Sequence, residues 1–355
     1  TLHVIPLAEM VGELAVPGTF TPAGPLPVAV SDVEPIRLAN GKVLLAGGVG
    51  ADGLATKATA LFDPVINTWT PADPLITERR AHSTTLLADG RVLVAGGLDA
   101  NGTALGSAEI YDPIAATWTA VPVPMVTARF GHSATALTNG KVLVAGGTGK
   151  RGDRDGAALS TAELFTPAEG KWSEAKPMTD ARTGHRAVLL DSDTVLGDDT
   201  VLVIGGELTT GGRGAALAGC ETYDSATGTW TPTAGELGLP RAGHQATLLA
   251  DGSVLVSGGD PVAPRLEFPQ HEDPPFRPDG LATAERYDPD ARTWRPVADL
   301  PGGRTSAPAV HLRSGRVLVM GGTGGPARDT GYRSVVSHHP GDGTWTAAGS
   351  LGSGR

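Results

Sequence analysis

A short apolar segment that ends in two glycines recurs along the chain. Five copies have the form Gly-(Lys/Arg/Ser)-Val-Leu-(Val/Leu)-x-Gly-Gly, at 41–48, 90–97, 140–147, 252–259 and 315–322. A sixth copy, at 200–206, reads Thr-Val-Leu-Val-Ile-Gly-Gly. A run of four or five apolar residues bounded by turn residues is typical of a strand that is buried on both faces. The pattern therefore predicts six such strands.

Each apolar segment belongs to a longer unit with a constant order of signals. Two-residue turns such as Asp89-Gly90, Asn139-Gly140 and Asp251-Gly252 precede the segment and predict a hairpin with the strand before it. A tryptophan follows each segment, with an aromatic residue or His seven positions before it. The pairs are Phe62 and Trp69, Tyr111 and Trp118, Phe165 and Trp172, Tyr223 and Trp230, Tyr287 and Trp294, and His338 and Trp345. Each unit of about 50 residues thus predicts four short strands.

Repeats of four strands with this period are typical of a β-propeller, because blades arranged radially cover each other's faces and leave few exposed edges. The motif Ala-Glu-x-Tyr-Asp-Pro, then Trp, then Ala-Arg-x-x-His resembles the bacterial form of the kelch-repeat family. The resemblance covers about residues 30–349 and implies an all-β, six-bladed propeller with four antiparallel strands per blade. We expect a single propeller domain at 30–355. Residues 1–29 are expected to form an extension whose strand at 16–26 completes or augments the last blade, in competition with the strand around Trp345.

Composition supports this fold and removes several classes of function. The chain of 355 residues contains 50 Gly and 28 Pro, which helix interiors tolerate poorly. The net charge of −10, without a Lys/Arg run longer than two, argues against nucleic-acid binding, and the absence of a long apolar run argues against a membrane span. Cys220 is the only cysteine, so an internal disulfide and a cysteine-based zinc cluster are excluded. We expect a monomer and slightly favour a secreted or periplasmic location over the cytoplasm.

One arginine follows each tryptophan by ten or eleven residues: Arg79, Arg129, Arg182, Arg241, Arg304 and Arg355. The predicted topology places the first five beside the Gly-Gly ends, where the loops also vary in length. These guanidinium groups could converge on an anionic ligand, since Arg binds carboxylates bidentately. They could instead tie the linker between blades to a neighbouring carbonyl or Glu. The sequence leaves both interpretations open.

Departures from the repeat are further candidates for a functional site. Arg37 and His311 occupy a position on the innermost strand where other blades have Leu86, Ala136 or Leu248. The longest insertion, 260–283, contains His271 and could cover the mouth of the channel. We therefore name Arg37 with the five repeat arginines as ligand-binding candidates, and His311 and His271 as candidate catalytic residues.

The sequence favours a binding propeller that takes an anionic small molecule, a glycan or an acidic peptide at the arginine-bearing rim. The alternative is a cofactor-free isomerase or lyase that acts on a sugar acid, with a His or Glu of the channel moving a proton. The family includes copper-radical oxidases, but their Tyr-Cys pair has no counterpart here. No cofactor and no metal site are predicted.

Overall fold

The computed structural model describes Phe20 and residues 22–149, 156–190, 199–210, 213–261, 280–324 and 332–351. The regular elements of these residues are 26 β-strands. The same residues contain no helix that is long and apolar enough to cross a membrane. The chain divides into two compact units, which meet in sequence at Thr183 and Gly184. Each unit holds three four-stranded sheets.

The first unit contains blades one to three, and each blade is an antiparallel sheet in sequence order. Blade one consists of β1 (Ile36–Arg37), β2 (Val43–Ala46), β3 (Thr59–Asp63) and β4 (Thr68–Pro71). Blade two consists of β5 (Ser83–Leu86), β6 (Val92–Ala95), β7 (Ala108–Asp112) and β8 (Thr117–Ala120). Blade three consists of β9 (Ser133–Ala136), β10 (Val142–Ala145), β11 (Ala162–Thr166) and β12 (Lys171–Ala175).

The second unit contains blades four to six, and blade four carries an added hairpin. Blade four consists of β13 (Arg186–Leu189), β14 (Thr200–Ile204), β17 (Cys220–Asp224) and β18 (Thr229–Pro232), with the hairpin β15 (Glu207–Thr210) and β16 (Arg213–Ala216) between its second and third strands. Blade five consists of β19 (Gln245–Leu248), β20 (Val254–Ser257), β21 (Ala284–Asp288) and β22 (Thr293–Val297). Blade six consists of β23 (Ala309–His311), β24 (Val317–Met320), β25 (Ser334–His339) and β26 (Thr344–Ser350). The all-β, six-bladed propeller with four antiparallel strands per blade is confirmed.

The second strand of each blade is the most deeply buried element, as its apolar sequence predicts. All residues of β6 and β10 are buried, because the sheets of blades two and three pack face to face. Leu93 and Ala95 contact the same core cluster as Val142 and Val144. A polar residue in either strand would lose its hydration. These strands therefore consist of apolar residues instead of alternating polar and apolar ones.

The Gly-Gly turn that ends each second strand depends on the missing side chain. Gly96 has φ +64°, and an added Cβ would lie 2.5 Å from the carbonyl oxygen of Arg129 and 2.7 Å from the ring of His132. Both the positive φ and the close approach of the next blade therefore require glycine. We call the end of a blade at which its second strand runs into Gly-Gly the Gly-Gly edge.

The tryptophans lie in the outer strands, and Trp118 joins blade two to blade one. Tyr111 and Trp118 are direct cross-strand partners, and their ring centroids are 5.0 Å apart. Trp118 packs beside Leu44 of blade one, and its Nε1 donates a hydrogen bond of 2.9 Å to the carbonyl oxygen of Asp73. The repeat aromatic pair therefore serves the packing between blades.

The last sheet takes all four of its strands from the C-terminal part of the chain, and β26 around Trp345 is its outer strand. Phe20 packs against the core of blade six, with Leu312 and Leu318 among its neighbours. Ala23 and Leu26 pack against blade one beside Trp69. Among the described residues at 20–26 there is no strand, and most of the predicted extension, residues 1–19, lies outside the described residues.

Candidate functional site

The repeat arginines are buried, and the terminal guanidinium nitrogens of Arg79, Arg129 and Arg241 hydrogen-bond to a neighbouring blade. Arg79 has no exposed surface, and its guanidinium donates to the carbonyl oxygens of Gly96 (2.7 Å) and Ser107 (3.1 Å) and to Glu109 Oε1 (2.8 Å). The Glu109 carboxylate also accepts from the backbone N–H groups of Ile76 (2.7 Å) and Thr77 (2.9 Å). Burial lowers the pKa of Arg79, and the hydrogen bond and charge of Glu109 oppose that effect. We call this arrangement the inter-blade bridge.

The bridge recurs at the next blades with nearly the same distances. Arg129 donates to Glu163 Oε1 at 2.9 Å and to the carbonyl oxygen of Gly146 at 2.8 Å. Arg241 donates to Glu285 Oε1 at 2.6 Å and to the carbonyl oxygen of Gly258 at 2.8 Å. Arg182 is equally buried, and its guanidinium lies 3.6 Å from the Asp180 carboxylate. These contacts agree with the second of the two alternatives, in which the arginines tie the linker between blades to a neighbouring carbonyl or glutamate.

Among the described residues, the bridge in blade six has no carboxylate. Val336 pairs with Val319, which is the register at which Glu285 pairs with Val256. Arg304 is only 2% exposed, yet its hydrogen bonds to the carbonyl of Gly321 and to Ser334 are long, at 3.2–3.4 Å. The ring of Tyr332 lies under the guanidinium, with its centroid 4.8 Å away, so a cation–π contact takes part of the place of the missing charge.

The Arg-x-x-His motif places one histidine before the first strand of blades two to five: His82, His132, His185 and His244. Burial favours the neutral form of His82 and His244. Burial lowers the pKa of His82 to about 3, and the charge of Arg79 lowers it further in the same direction. Burial also lowers the pKa of His244, which has no exposed surface. His132 Nε2 lies 2.9 Å from the Ser83 hydroxyl of the preceding blade. These contacts are those of a structural role within the repeat.

Two of the remaining sequence candidates, Arg37 and His311, lie on the first strands of their blades. Arg37 is an exposed residue of β1 in the first unit, paired with Val43. His311 is an exposed residue of β23 in the second unit, paired with Val317. His271 and residues 262–279 around it lie outside the described residues. The grouping of Arg37, His311 and His271 in one site therefore stays a prediction.

Two buried carboxylates at the Gly-Gly edge of blades four and five form the strongest candidate site. The residue that directly follows Gly-Gly is Val49, Leu98, Thr148, Glu207, Asp260 or Thr323 in the six blades. Glu207 is 5% exposed and Asp260 is 6% exposed. Buried carboxylates at this position replace the apolar side chain that packs there in blade two, where Leu98 contacts Phe130.

Backbone hydrogen bonds join the two carboxylate-bearing turns. The N–H of Gly206, the residue before Glu207, donates to the carbonyl of Arg241 at 2.9 Å. The next residue, Ala242, exchanges two hydrogen bonds with Asp260, at 2.8 and 3.0 Å. The linker between blades four and five therefore holds both turns in place. We call Glu207 and Asp260 the carboxylate pair.

The carboxylate pair has an unusual electrostatic balance. Burial raises the pKa of Glu207 to about 7, and the negative charge of Asp260 adds to this effect. Glu207 Oε2 is buried and has no hydrogen-bond partner among the described residues. Near neutral pH Glu207 can therefore gain or lose a proton, which ordinary surface carboxylates do not do.

Comparison with known proteins agrees with this architecture. A family profile described as the KLHDC2/KLHL20/DRC7 kelch-repeats domain matches residues 36–259. The chain belongs to this kelch-repeat family. None of the curated proteins matches the chain. Among solved structures, that of YjhT is similar to this kelch propeller with a TM-score of 0.66 and 18% identity, covering 91% of this chain and 98% of YjhT. At that identity the likeness shows the fold alone.

The carboxylate pair of this kelch propeller is not among the site residues predicted from the sequence. The predicted candidates depart from the repeat at the innermost strand and in the longest loop, whereas Glu207 and Asp260 depart from it at the first residue after Gly-Gly. At that position a comparison of the six copies is enough to single out Glu207 and Asp260, because the other copies have Val, Leu or Thr. The raised pKa of Glu207 could not be predicted, since it depends on the burial of the side chain and on the charge of Asp260.

The carboxylate pair limits the chemistry that this edge of the kelch propeller offers. Among the described residues, no group of three or more His, Cys, Asp or Glu side chains could hold a metal ion. Two carboxylates, one of them with an oxygen that lacks a partner among the described residues, can bind a hydrogen-bond donor or exchange a proton. Both possibilities need a polar ligand at the Gly-Gly edge.

Proposed function

We propose that this kelch propeller is a binding domain that takes a polar ligand, a glycan or a peptide, at the Gly-Gly edges of its blades. The observation that carries the proposal is the carboxylate pair, which the repeat does not need. Blade two builds the same turn with Leu98, so the buried carboxylates of Glu207 and Asp260 add a desolvation cost that the turn itself does not require. Polar groups kept at such a cost are typical of functional sites.

The variable loops support the same location. The distance from the second Gly to Trp is 21 residues in blades one and two, 24 in blade four and 35 in blade five. Blade four uses its extra length for the hairpin β15–β16, which begins at Glu207. Loops that vary on a rigid scaffold commonly carry specificity. Kelch propellers bind proteins or ligands at a rim, which agrees with this assignment.

The ligand chemistry differs from the one that the sequence favoured. An anion held by Arg79, Arg129 or Arg241 would have to displace a glutamate from a buried ion pair. Breaking such a pair costs about 3–5 kcal/mol, so these arginines are poor first contacts for a ligand. We therefore retain the predicted edge and base recognition on the carboxylate pair. Exposed Arg37 pairs with Val43, at the end of blade one away from its Gly-Gly edge, and has no part in this proposal.

An array of neutral, acidic and amino glycans together with a peptide library tests the location. Hits would be titrated into the wild type, a Glu207→Gln/Asp260→Asn variant and an Asp89→Asn variant, which changes an exposed turn at the opposite end of blade two. We expect the double variant to weaken binding and Asp89→Asn to leave it unchanged. Absence of any ligand, or equal effects of both variants, would refute the proposal.

A proton-transfer enzyme is the second candidate, and the raised pKa of Glu207 favours it. A carboxyl group with a pKa of about 7 is close to the optimum for a general acid or base at neutral pH. Such an enzyme would exchange a carbon-bound proton of its substrate with solvent. Incubation of each hit in deuterated water, followed by NMR, would reveal the exchange, and Glu207→Gln should abolish it. Exposed His311, the catalytic candidate from sequence, would be tested by His311→Gln in the same assay.

A further inference from the structure

A cavity of about 340 Å³ lies between blades two and three, at the end opposite their Gly-Gly edges. This volume falls at the lower end of the range for small-molecule sites, roughly 300–1,000 Å³. Most of its wall is apolar, with Leu86 and Leu87 from blade two and Ala136, Leu137 and Val142 from blade three. The exposed residue Ala88 also lines the cavity, so it opens to solvent. We call it the blade 2–3 cavity.

A small side chain in blade three opens this cavity. Ala136 is the last residue of β9 and pairs with Val142. The residue in the same register of blade two is Leu86, which packs toward blade one against the cluster that contains Leu44. In blade five it is Leu248, which packs against the core shared with blade four. Alanine leaves that volume empty between blades two and three, whereas protein interiors are otherwise closely packed.

Lys141 is the only charged residue among those that line the cavity, and it has no ion-pair partner in the described part of the chain. It directly precedes the second strand of its blade. The residue at the same position has a partner in both preceding blades. Lys42 of blade one lies 3.2 Å from the Asp63 carboxylate, and Arg91 of blade two lies 2.7 Å from the Asp89 carboxylate.

Blade three has neutral residues at both of these partner positions. Asp63 is the last residue of the third strand of blade one, and the last residue of that strand in blade three is Thr166. Asp89 lies two residues before its arginine, and Asn139 lies two residues before Lys141. Neither threonine nor asparagine carries a charge, so neither neutralises the ammonium group.

The cavity wall and its cation together define the chemistry of a ligand. The apolar wall favours a hydrocarbon, because removing each methylene group from water is favourable. A cation without an ion-pair partner favours an anion, and the group that pairs with the equivalent cation in blades one and two is a carboxylate. The volume limits the hydrocarbon to a short chain.

We propose that the blade 2–3 cavity binds a small aliphatic carboxylate, whose chain packs on the apolar wall and whose carboxylate pairs with Lys141. The site lies in the first unit, at the end of the blades opposite their Gly-Gly edges. It therefore goes beyond the proposed function, which concerns the Gly-Gly edge and the carboxylate pair of the second unit.

Calorimetric titration with four probes tests the chemistry: octanoate, hexanoate, acetate and 1-octanol. We expect octanoate to bind, hexanoate to bind several-fold more weakly and acetate not to bind, since each buried methylene group contributes about fourfold. 1-Octanol should bind at least about tenfold more weakly than octanoate, because the charge-assisted contact is lost. Absence of octanoate binding, or equal binding of octanoate and 1-octanol, would overturn the proposal.

Replacement of the lysine connects the charge preference to this cavity. Lys141→Met should bind octanoate no more tightly than 1-octanol. Lys42→Met is the matched control, because it removes the equivalent lysine of blade one, which already has a carboxylate partner. It should retain the full preference for octanoate. Equal effects of the two variants would assign the preference to net charge and overturn the role of Lys141.

Two further variants use residues that other blades carry at the same positions, so the fold should accept them. Ala136→Leu fills the cavity and should weaken octanoate and 1-octanol alike, by at least about tenfold. Thr166→Asp supplies Lys141 with the partner found in blade one and should weaken octanoate alone. Thermal unfolding of each variant checks that it is folded. Unchanged octanoate binding in a folded Ala136→Leu variant would place the ligand elsewhere and overturn the proposal.

The outcomes separate this inference from the proposed function. The Glu207→Gln/Asp260→Asn variant should bind octanoate as tightly as the wild type does. Loss of octanoate binding in that variant would place the carboxylate ligand at the Gly-Gly edge and overturn the cavity assignment. Failure of octanoate to bind the wild type leaves the proposed function to its own test with glycans and peptides.

Discussion

Replacement of Glu207 by Gln should make the protein more stable at alkaline pH and leave it nearly unchanged in acid. Glutamine keeps the shape of a protonated glutamate but cannot ionise. In the folded protein Glu207 holds its proton up to a pKa of about 7, whereas the ordinary value is 4.5. The folded state therefore binds more protons than the unfolded state between these values, and stability falls as the pH rises through them.

The magnitude follows from the two pKa values. At about 1.4 kcal/mol per pH unit, the full penalty above pH 7 is about 3 kcal/mol. Between pH 5 and pH 8 the wild type should lose about 2–3 kcal/mol that Glu207→Gln keeps. Because Glu207 is 5% exposed, solvent screening reduces this figure little. For a chain of this length the difference corresponds to a shift of roughly 3–4 °C in Tm.

Thermal and urea unfolding at pH 5 and pH 8 measure this difference directly. Glu236→Gln is the matched control, since it removes one negative charge at an exposed position of the same unit. Asp260→Asn should reproduce part of the effect, because it removes the charge that adds to the burial of Glu207. If Glu207→Gln and the wild type lose the same stability between the two pH values, the folded state does not raise the pKa of Glu207. An equal gain in Glu236→Gln would assign the effect to net charge.

Three further predictions concern the scaffold. Arg129→Met should cost about 3–5 kcal/mol in urea unfolding, because it leaves Glu163 buried and unpaired. Arg304→Met should cost clearly less, since Val336 replaces the carboxylate in blade six, and equal costs would contradict this explanation. Trp118→Ala should cost about 3 kcal/mol and Trp118→Phe about 1, and an unchanged Tm for the alanine variant would exclude the inter-blade role. Burial lowers the pKa of His338 to about 4, and nearby Arg286 contributes, so the neutral form is favoured in the fold and stability falls below pH 6.5. Between pH 7.5 and pH 5, the free energy of unfolding of His338→Phe should therefore fall by about 2 kcal/mol less than that of the wild type. Equal losses would refute this reasoning.

The architecture could be predicted because each blade repeats the same local signals. The apolar strand, the two glycines and the tryptophan each have a fixed spacing, and six copies make the pattern unmistakable. Even the pairing of Tyr111 with Trp118 follows from that spacing, since seven residues fit two strands and a tight turn. The added hairpin β15–β16 was not predicted, because residues 207–216 carry glycines and small side chains rather than an alternating pattern.

The candidate site was harder to predict, because the burial and the pKa of its side chains depend on contacts between blades. The sequence shows that an arginine recurs with the repeat. It does not show that a glutamate far along the chain accepts a hydrogen bond from it, as Glu109 does from Arg79 thirty residues earlier. It likewise shows Glu207 and Asp260 more than fifty residues apart, and only the linker at Arg241 and Ala242 brings their turns together. Burial and electrostatic coupling of this kind depend on tertiary contacts that no local pattern encodes.

The two kinds of carboxylate in this propeller have different consequences for function. Glu109, Glu163 and Glu285 each neutralise a buried arginine and accept backbone N–H groups, so a change at any of them acts on stability. Glu207 has no cationic partner among the described residues, and its Oε2 accepts no hydrogen bond there. A residue whose removal should stabilise the fold cannot be explained by the fold. The sign of the change in unfolding free energy on substitution therefore distinguishes Glu207 from the glutamates that stabilise the fold. This sign can be measured before any ligand is known.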